Sequence, residues 1–99
     1  MSRVLYLSEV AKYIENLNPE DHARLTRTRQ LFEERGFIVG QKYVKKIARG
    51  SLWELRAGKI RLFLCIRGNT AVGVHILQKK SQKLPLKDVK LAERRCKQL

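Results

Sequence analysis

Acidic residues are scarce in the second half of this chain. Residues 41–99 hold three of them (Glu54, Asp88 and Glu93) against sixteen Lys and Arg, whereas residues 1–40 hold six of each sign. The whole formal charge of +13 therefore lies in the C-terminal part. Three scattered carboxylates do not form the acidic cluster that holds paired Mg²⁺, so hydrolysis by a two-metal nuclease site is not expected. Cysteine and histidine are sparse as well. Cys65 and Cys96 form no CxxC, and His22 and His75 stand far apart; no zinc or other metal site is expected, and the two cysteines are expected as free buried thiols. No apolar run approaches the roughly 18 residues of a membrane span, and "MSRVLYLSEVAKYIENL" lacks the plan of a signal peptide. These absences point to a cytoplasmic chain without a membrane partner. P-loop, post-strand GxGxxG, HExxH and GxSxG motifs are missing too, and no cofactor is implied.

The chain has 99 residues, of which 43% are hydrophobic and spread along its length. That suits one domain over residues 1–99 with a modest core, and not a disordered tail. A basic field confined to one part of the chain implies a polyanionic partner: nucleic acid first, an acidic protein second, an anionic membrane third.

Periodicity divides the chain in the same place as charge. "RVLYL" (3–7) is a short β-type run. Ser8 can cap a helix from Glu9 to about Leu17, with Val10, Tyr13, Ile14 and Leu17 on one face. "NPED" is a strong helix start, with Asn18 as cap, Pro19 first, and Glu20 and Asp21 favoured by the dipole. This second helix runs to about Arg35 with Ala23, Thr28, Leu31 and Phe32 inward, and Gly36 ends it. From Val44 the pattern alternates: "SLWELR", "KIRLFLCIR" and "AVGVHILQ" read as strands turning at Ala57-Gly58 and over Gly68-Asn69-Thr70. Pairing Arg56 with Lys59 sets Trp53 and Leu55 against Leu62 and Ile60, and Glu54 opposite Arg61. Burying Val72, Val74 and Ile76 against Ile66, Leu64 and Leu62 sets the next pair. "LKDVKLAERRCKQL" closes the chain as a helix with Val89, Ala92, Cys96 and Leu99 on one side. The result is an α+β fold, β-α-α-β-β-β-α, with helices on one face of an antiparallel sheet.

In this register Arg56, Lys59, Arg61, Phe63, Arg67, His75 and Lys79 share the sheet face turned away from the helices. Guanidinium groups grip phosphate through planar, bidentate contacts and keep their charge. Arg56 and Arg61 on neighbouring strands can therefore hold a scissile phosphate and stabilise its transition state; the alternative is that Arg61 only bridges Glu54. Lys79 and Lys80, with Lys83 behind them, are candidate phosphate contacts or acid/base groups, or a solvated strand exit. His75 is a candidate proton carrier or a packing residue. Phe63 is a candidate stacking platform for a base, and Trp53 a core residue. Metal-free cleavage needs an internal nucleophile, which RNA has in its 2′-hydroxyl and DNA lacks.

The stretch "GSLWELRAGKIRLFLCIRGNTAVGVHILQKKSQKLP" with "LKDVKLAERR" resembles the RelE/HigB superfamily of bacterial toxins, in its phage-derived Gp49-like branch. The likeness rests on Leu52-Trp53-Glu54-Leu55-Arg56, on Arg61, on His75 to Lys80, on Lys83 and Pro85, and on Ala92 with Arg95. It implies a small RelE-like fold whose sheet is mixed through the N-terminal strand, with the helical pair packed on one face and a C-terminal helix. It implies the toxin of a type II toxin–antitoxin system: a metal-independent endoribonuclease, or mRNA interferase, that blocks translation on ribosome-bound mRNA. On this reading Arg56, Arg61, Lys79 and Lys80 carry the catalysis, and Lys59, Phe63, Arg67, His75 and Lys83 bind RNA. The expected protein partner is a cognate antitoxin of helix-turn-helix type, and operator DNA is met only through it. Leu77 replaces a usual Phe, Leu84 a usual Thr, and the ending "RRCKQL" carries no Tyr or His, so no general base is assigned. Two alternatives stand beside this reading: a non-enzymatic basic RNA- or DNA-binding module, and a ParE-type gyrase inhibitor on the same fold.

Overall fold

The computed structural model describes residues 3–47, 50–81 and 83–99; Gln82, in the basic stretch after the last strand, lies outside them. Among the described residues the elements run β1 (Arg3–Tyr6), α1 (Ser8–Glu15), α2 (Pro19–Arg35), β2 (Val44–Lys46), β3 (Leu52–Ala57), β4 (Ile60–Arg67), β5 (Thr70–Gln78) and α3 (Leu86–Lys97), with a 3-10 turn at Gly36–Val39. The α+β class and the mixed sheet hold, and the short β2 is an addition to the sequence reading. The strand order is β1-β5-β4-β3-β2, with β1 parallel to β5 and the other pairs antiparallel.

The α2 start is built as its sequence implies. Asn18 Oδ1 accepts from the Asp21 amide at 2.8 Å, and Asn18 Nδ2 donates to Asp21 Oδ2 at 3.0 Å. Gly36 ends the helix at φ 64°, a region where glycine alone is unstrained. The inward stripe is Asp21, Leu25, Thr28 and Phe32, spaced four, three and four residues apart. Ala23, expected inward, is exposed, and Leu31 is half-buried. Two of the four inward positions are polar, which shifts the apparent hydrophobic face. In α1 the helix begins one residue early, at Ser8, and Leu7 is its cap.

Both hairpin turns differ from the expected ones for one reason. β3 meets β4 at Ala57↔Ile60, and β4 meets β5 at Arg67↔Thr70, so the two-residue loops are Gly58-Lys59 and Gly68-Asn69. Each has glycine at its first central position with positive φ (62° and 58°), where a tight hairpin needs it. The β3–β4 register therefore moves by two residues: Arg56 faces Arg61, Glu54 faces Phe63, Leu55 faces Leu62 and Trp53 faces Leu64. A shift of two preserves the faces. Between β4 and β5 the expected Leu62↔Ile76 pair forms, but a bulge follows: Phe63 faces His75 while Leu64 faces Gly73, leaving Val74 as the extra residue. A Cβ on Gly73 would lie 2.9 Å from the Tyr6 ring and 3.0 Å from Leu62, so a larger residue here requires those side chains to shift.

The sheet carries a core on each side. Leu55, Ala57, Ile60, Leu62, Leu64, Ala71 and Ile76 pack with Val10, Leu25 and Phe32 of the helical pair. On the other face Leu52, Phe63, Cys65 and Val74 pack with Ala92 and Cys96 of α3. The expected single-sided packing is thus corrected: α3 covers much of the face read as open. Leu99, expected on its inner side, is exposed. The expectation of free thiols also fails, because Cys65 and Cys96 are joined in a disulfide. They are 31 residues apart in sequence, but their Cα atoms come within 5.5 Å once α3 docks, inside the range a disulfide requires.

Two substitutions separate core from cap. Phe32→Ala is expected to lower unfolding free energy by about 3–5 kcal/mol and Asn18→Ala by about 1 kcal/mol, read as shifts in the urea midpoint at unchanged slope.

Candidate functional site

The β3–β4 turn and the end of β5 meet at an open cleft of about 730 Å³, lined by Arg56, Gly58, Lys59, Arg61, Lys79, Lys80 and Ser81. The backbone explains the gathering. Arg56 and Arg61 are direct cross-strand partners. The Lys79 amide donates to the Lys59 carbonyl at 2.7 Å, which lashes the end of β5 to the turn. On the far side the Arg56 amide donates to the Tyr43 carbonyl at 2.7 Å, so the segment before β2 buttresses β3.

Like charges directly opposite one another repel, and the chain answers with a buried carboxylate. Glu54 is 3% exposed; its Oε1 lies 3.4 Å from Arg56 Nε and its Oε2 3.6 Å from Arg61 Nε. These contacts are electrostatic, since Glu54 Oε2 and both Nε atoms make no well-formed hydrogen bond among the described residues. The guanidinium ends are fixed separately. Arg61 Nη1 donates to the carbonyls of Gly58 and, at 3.0 Å, Ile60; Arg56 Nη1 donates to the Gln41 carbonyl at 3.3 Å. Burial pulls the Arg61 guanidinium below the ordinary arginine value, with Glu54 opposing that shift and Arg56 adding to it. An arginine starts so far above neutrality that it stays charged. Phosphate-gripping and Glu54-bridging, posed as alternatives by the sequence, are therefore compatible: Glu54 holds the Nε edges while both arginines line the opening.

Of the nine sequence-predicted residues, the cleft unites five: Arg56, Lys59, Arg61, Lys79 and Lys80. Lys83 is exposed beyond it. Phe63 is fully buried in the α3-side core, so its reading as a base-stacking platform is withdrawn. His75 packs edge-on to Phe63, and its Nε2 lies 2.7 Å from Asp88 Oδ1, which fastens the first turn of α3. Arg67 sits at the other end of β4, where its Nη2 donates to the Cys96 carbonyl at 2.9 Å. Sequence reasoning missed Ser81, whose one signal is adjacency to the lysine pair. It also missed α2: Asp21 Oδ2 lies 4.0 Å from Lys59 Nζ, and the Arg24 side chain lies where a Cβ on Gly58 would be, 2.6 Å from its Nη1. Such an arrangement offers a fixed pair of planar cations ringed by lysines, suited to an anion that bears several oxygens.

The family description "Phage derived protein Gp49-like (DUF891)" matches residues 12–97. Among curated proteins, none matches. Two solved structures share the fold. One is the archaeal RelE-RelB complex from Pyrococcus horikoshii OT3, 19% identical over 84% of this chain and 100% of that one, with a TM-score of 0.67. The other is the RelB-RelE antitoxin-toxin complex from Methanococcus jannaschii, 16% identical over 82% and 99%, with a TM-score of 0.61.

The buried carboxylate makes a stability prediction. Glu54→Gln leaves two facing guanidinium groups without a counter-charge and is expected to cost on the order of 3 kcal/mol, whereas Lys80→Gln, at the exposed rim, is expected to stay within about 0.5 kcal/mol. Chemical denaturation of the two variants checks both.

Proposed function

Because the chain belongs to the phage-derived Gp49-like family, of RelE/HigB toxin type, we propose that it is the toxin of a toxin–antitoxin pair and cleaves mRNA as a metal-independent endoribonuclease. The observation that carries this reading is the facing pair Arg56 and Arg61, braced by buried Glu54 at the floor of a lysine-lined cleft. The 2′-oxygen of one nucleotide attacks its own 3′-phosphorus, the bond from phosphorus to the 5′-oxygen of the next nucleotide breaks, and a 2′,3′-cyclic phosphate and a 5′-hydroxyl remain. Negative charge grows on the non-bridging oxygens as the phosphorane forms, and Arg56 and Arg61 meet it with donors already in place. Their positions require no reorganisation, since backbone carbonyls and Glu54 fix them beforehand. The step releases the 2′-hydroxyl proton and delivers one to the leaving 5′-oxygen. In this reading Lys79 and Lys80, which line the cleft, exchange those protons, and Lys59 adds a phosphate contact.

The lining presents cationic groups to the opening and buries its carboxylate beneath them, so transition-state charge is met by arginine in this reading. Messenger RNA on the ribosome is the proposed substrate. A cognate antitoxin is the proposed protein partner; the two solved structures named above are complexes with RelB. A helix-turn-helix antitoxin would carry any operator contact.

Mapping 5′ ends of a defined mRNA in a translating extract tests the proposal. Wild-type protein is expected to create new ends bearing 5′-hydroxyls, and Arg61→Ala to slow cleavage by about 10²–10³-fold while weakening RNA binding far less. An intact message with the wild-type protein would sink the ribonuclease and leave a binding module or a gyrase inhibitor.

A further inference from the structure

Four cations stand in file along the outer side of α3. Lys87, Lys90, Arg94 and Lys97 follow one another at intervals of three or four residues, and all are exposed. At ~1.5 Å per residue they span about 15 Å in steps of roughly 4.5–6 Å, within one narrow sector of the helix. Among the described residues none of them takes part in a salt bridge. Like charges three and four residues apart repel along a helix, so this face carries a strain that a polyanion would relieve. A shallow groove of about 430 Å³ runs along Lys90, Arg94 and Lys97, with half-buried Glu93 at its border.

The opposite side of α3 is fastened to the sheet at four places. Asp88 holds His75, Arg95 Nη1 donates to the Val74 carbonyl at 2.8 Å, Cys96 is bonded to Cys65, and the Cys96 carbonyl takes Arg67. The outer cations are thus carried on a rigid rail and are ordered before any partner arrives. The rail starts beyond Lys83, past the cleft lysines, and ends where Lys97 shares a hollow with Arg67 and Gly50, at the other end of the β3–β4 hairpin from the cleft.

We propose that this face is a docking ladder for the phosphodiester backbone of RNA, separate from the cleft and indifferent to sequence. Its steps are of the order of the spacing between successive phosphates, and backbone contacts of this kind position a nucleic acid without reading its bases. The choice of RNA over DNA rests on the ribonuclease reading of the cleft; the contact with a phosphate backbone does not.

The test is binding of a short fluorescent RNA duplex by the full chain at several salt concentrations. The combined variant Lys90→Gln/Arg94→Gln/Lys97→Gln is expected to bind at least about tenfold more weakly, with the slope of log affinity against log salt shallower by about two to three. Lys87→Gln alone should make that slope shallower by about one. A matched variant, Arg3→Gln/Lys12→Gln/Arg27→Gln, removes the same charge from exposed positions near the helical pair and should change affinity less than about twofold. Equal weakening by both triple variants, or none by the α3 triple, overturns the ladder. Loss of binding to phosphatidylglycerol vesicles with RNA binding intact overturns it in favour of a membrane surface. Arg61→Ala separates the two proposals: it should slow cleavage by about 10²–10³-fold and weaken duplex binding far less than the α3 triple does. A wild-type protein that binds through α3 but never cleaves would refute the ribonuclease alone.

Discussion

A carboxylate shut away from water between two guanidinium groups is the constraint on which the rest of this structure turns. Glu54 has no route to solvent for its charge, and Arg56 and Arg61 sit across a strand pair from each other with no other counter-ion described beside them. Each group makes the others tolerable. Removing both arginines would leave a buried anion, and removing the glutamate would leave two facing cations. The trio therefore supports the β3–β4 register alongside the aliphatic pairs behind it, and the two arginines line the cleft floor. Stability and the proposed chemistry draw here on one set of charges.

The sequence was most legible where a local rule had one physical solution. Asn18-Pro19 could only start a helix, and alternation along β3 and β4 correctly sorted Arg56 and Arg61 onto one face, whereas Lys59 falls in the turn between them. Legibility failed where the deciding contact is distant. The pattern showed two faces to the sheet but not that α3 would cover the second, because Phe63 and His75 read as part of a basic open surface until Ala92 and Cys96 are laid over it. The disulfide was hidden for the same reason. The bulge at Val74 was invisible because both registers bury some aliphatic residues, and the fold uses each along part of its length. In the site, the arginine and lysine members were readable from charge and spacing. The Asp21 and Arg24 contributions were not, since they arrive from a helix some 35 residues upstream in sequence.

The two faces of the sheet do different work. The helical-pair side is an aliphatic core with neutral charge balance above it. The α3 side has a smaller core, supplemented by a covalent bond, a histidine–aspartate contact and two arginine–carbonyl hydrogen bonds. Polar and covalent fastenings stand in where apolar area is short.

β1 contributes only four residues, yet it closes the sheet by lying parallel to β5, with Arg3 beside Thr70 and Tyr6 beside Gly73. Vectorial synthesis gives that pairing a direction in time. The first strand leaves the ribosome long before its partner exists, and the helical pair can form while β1 still waits. Lys79, Lys80 and Ser81 follow β5, and α3 comes last of all. A nascent chain therefore holds no assembled cleft, and its long-range contacts set a slow closing step. The cleft comes into being only after β5 and the lysines that follow it have been made.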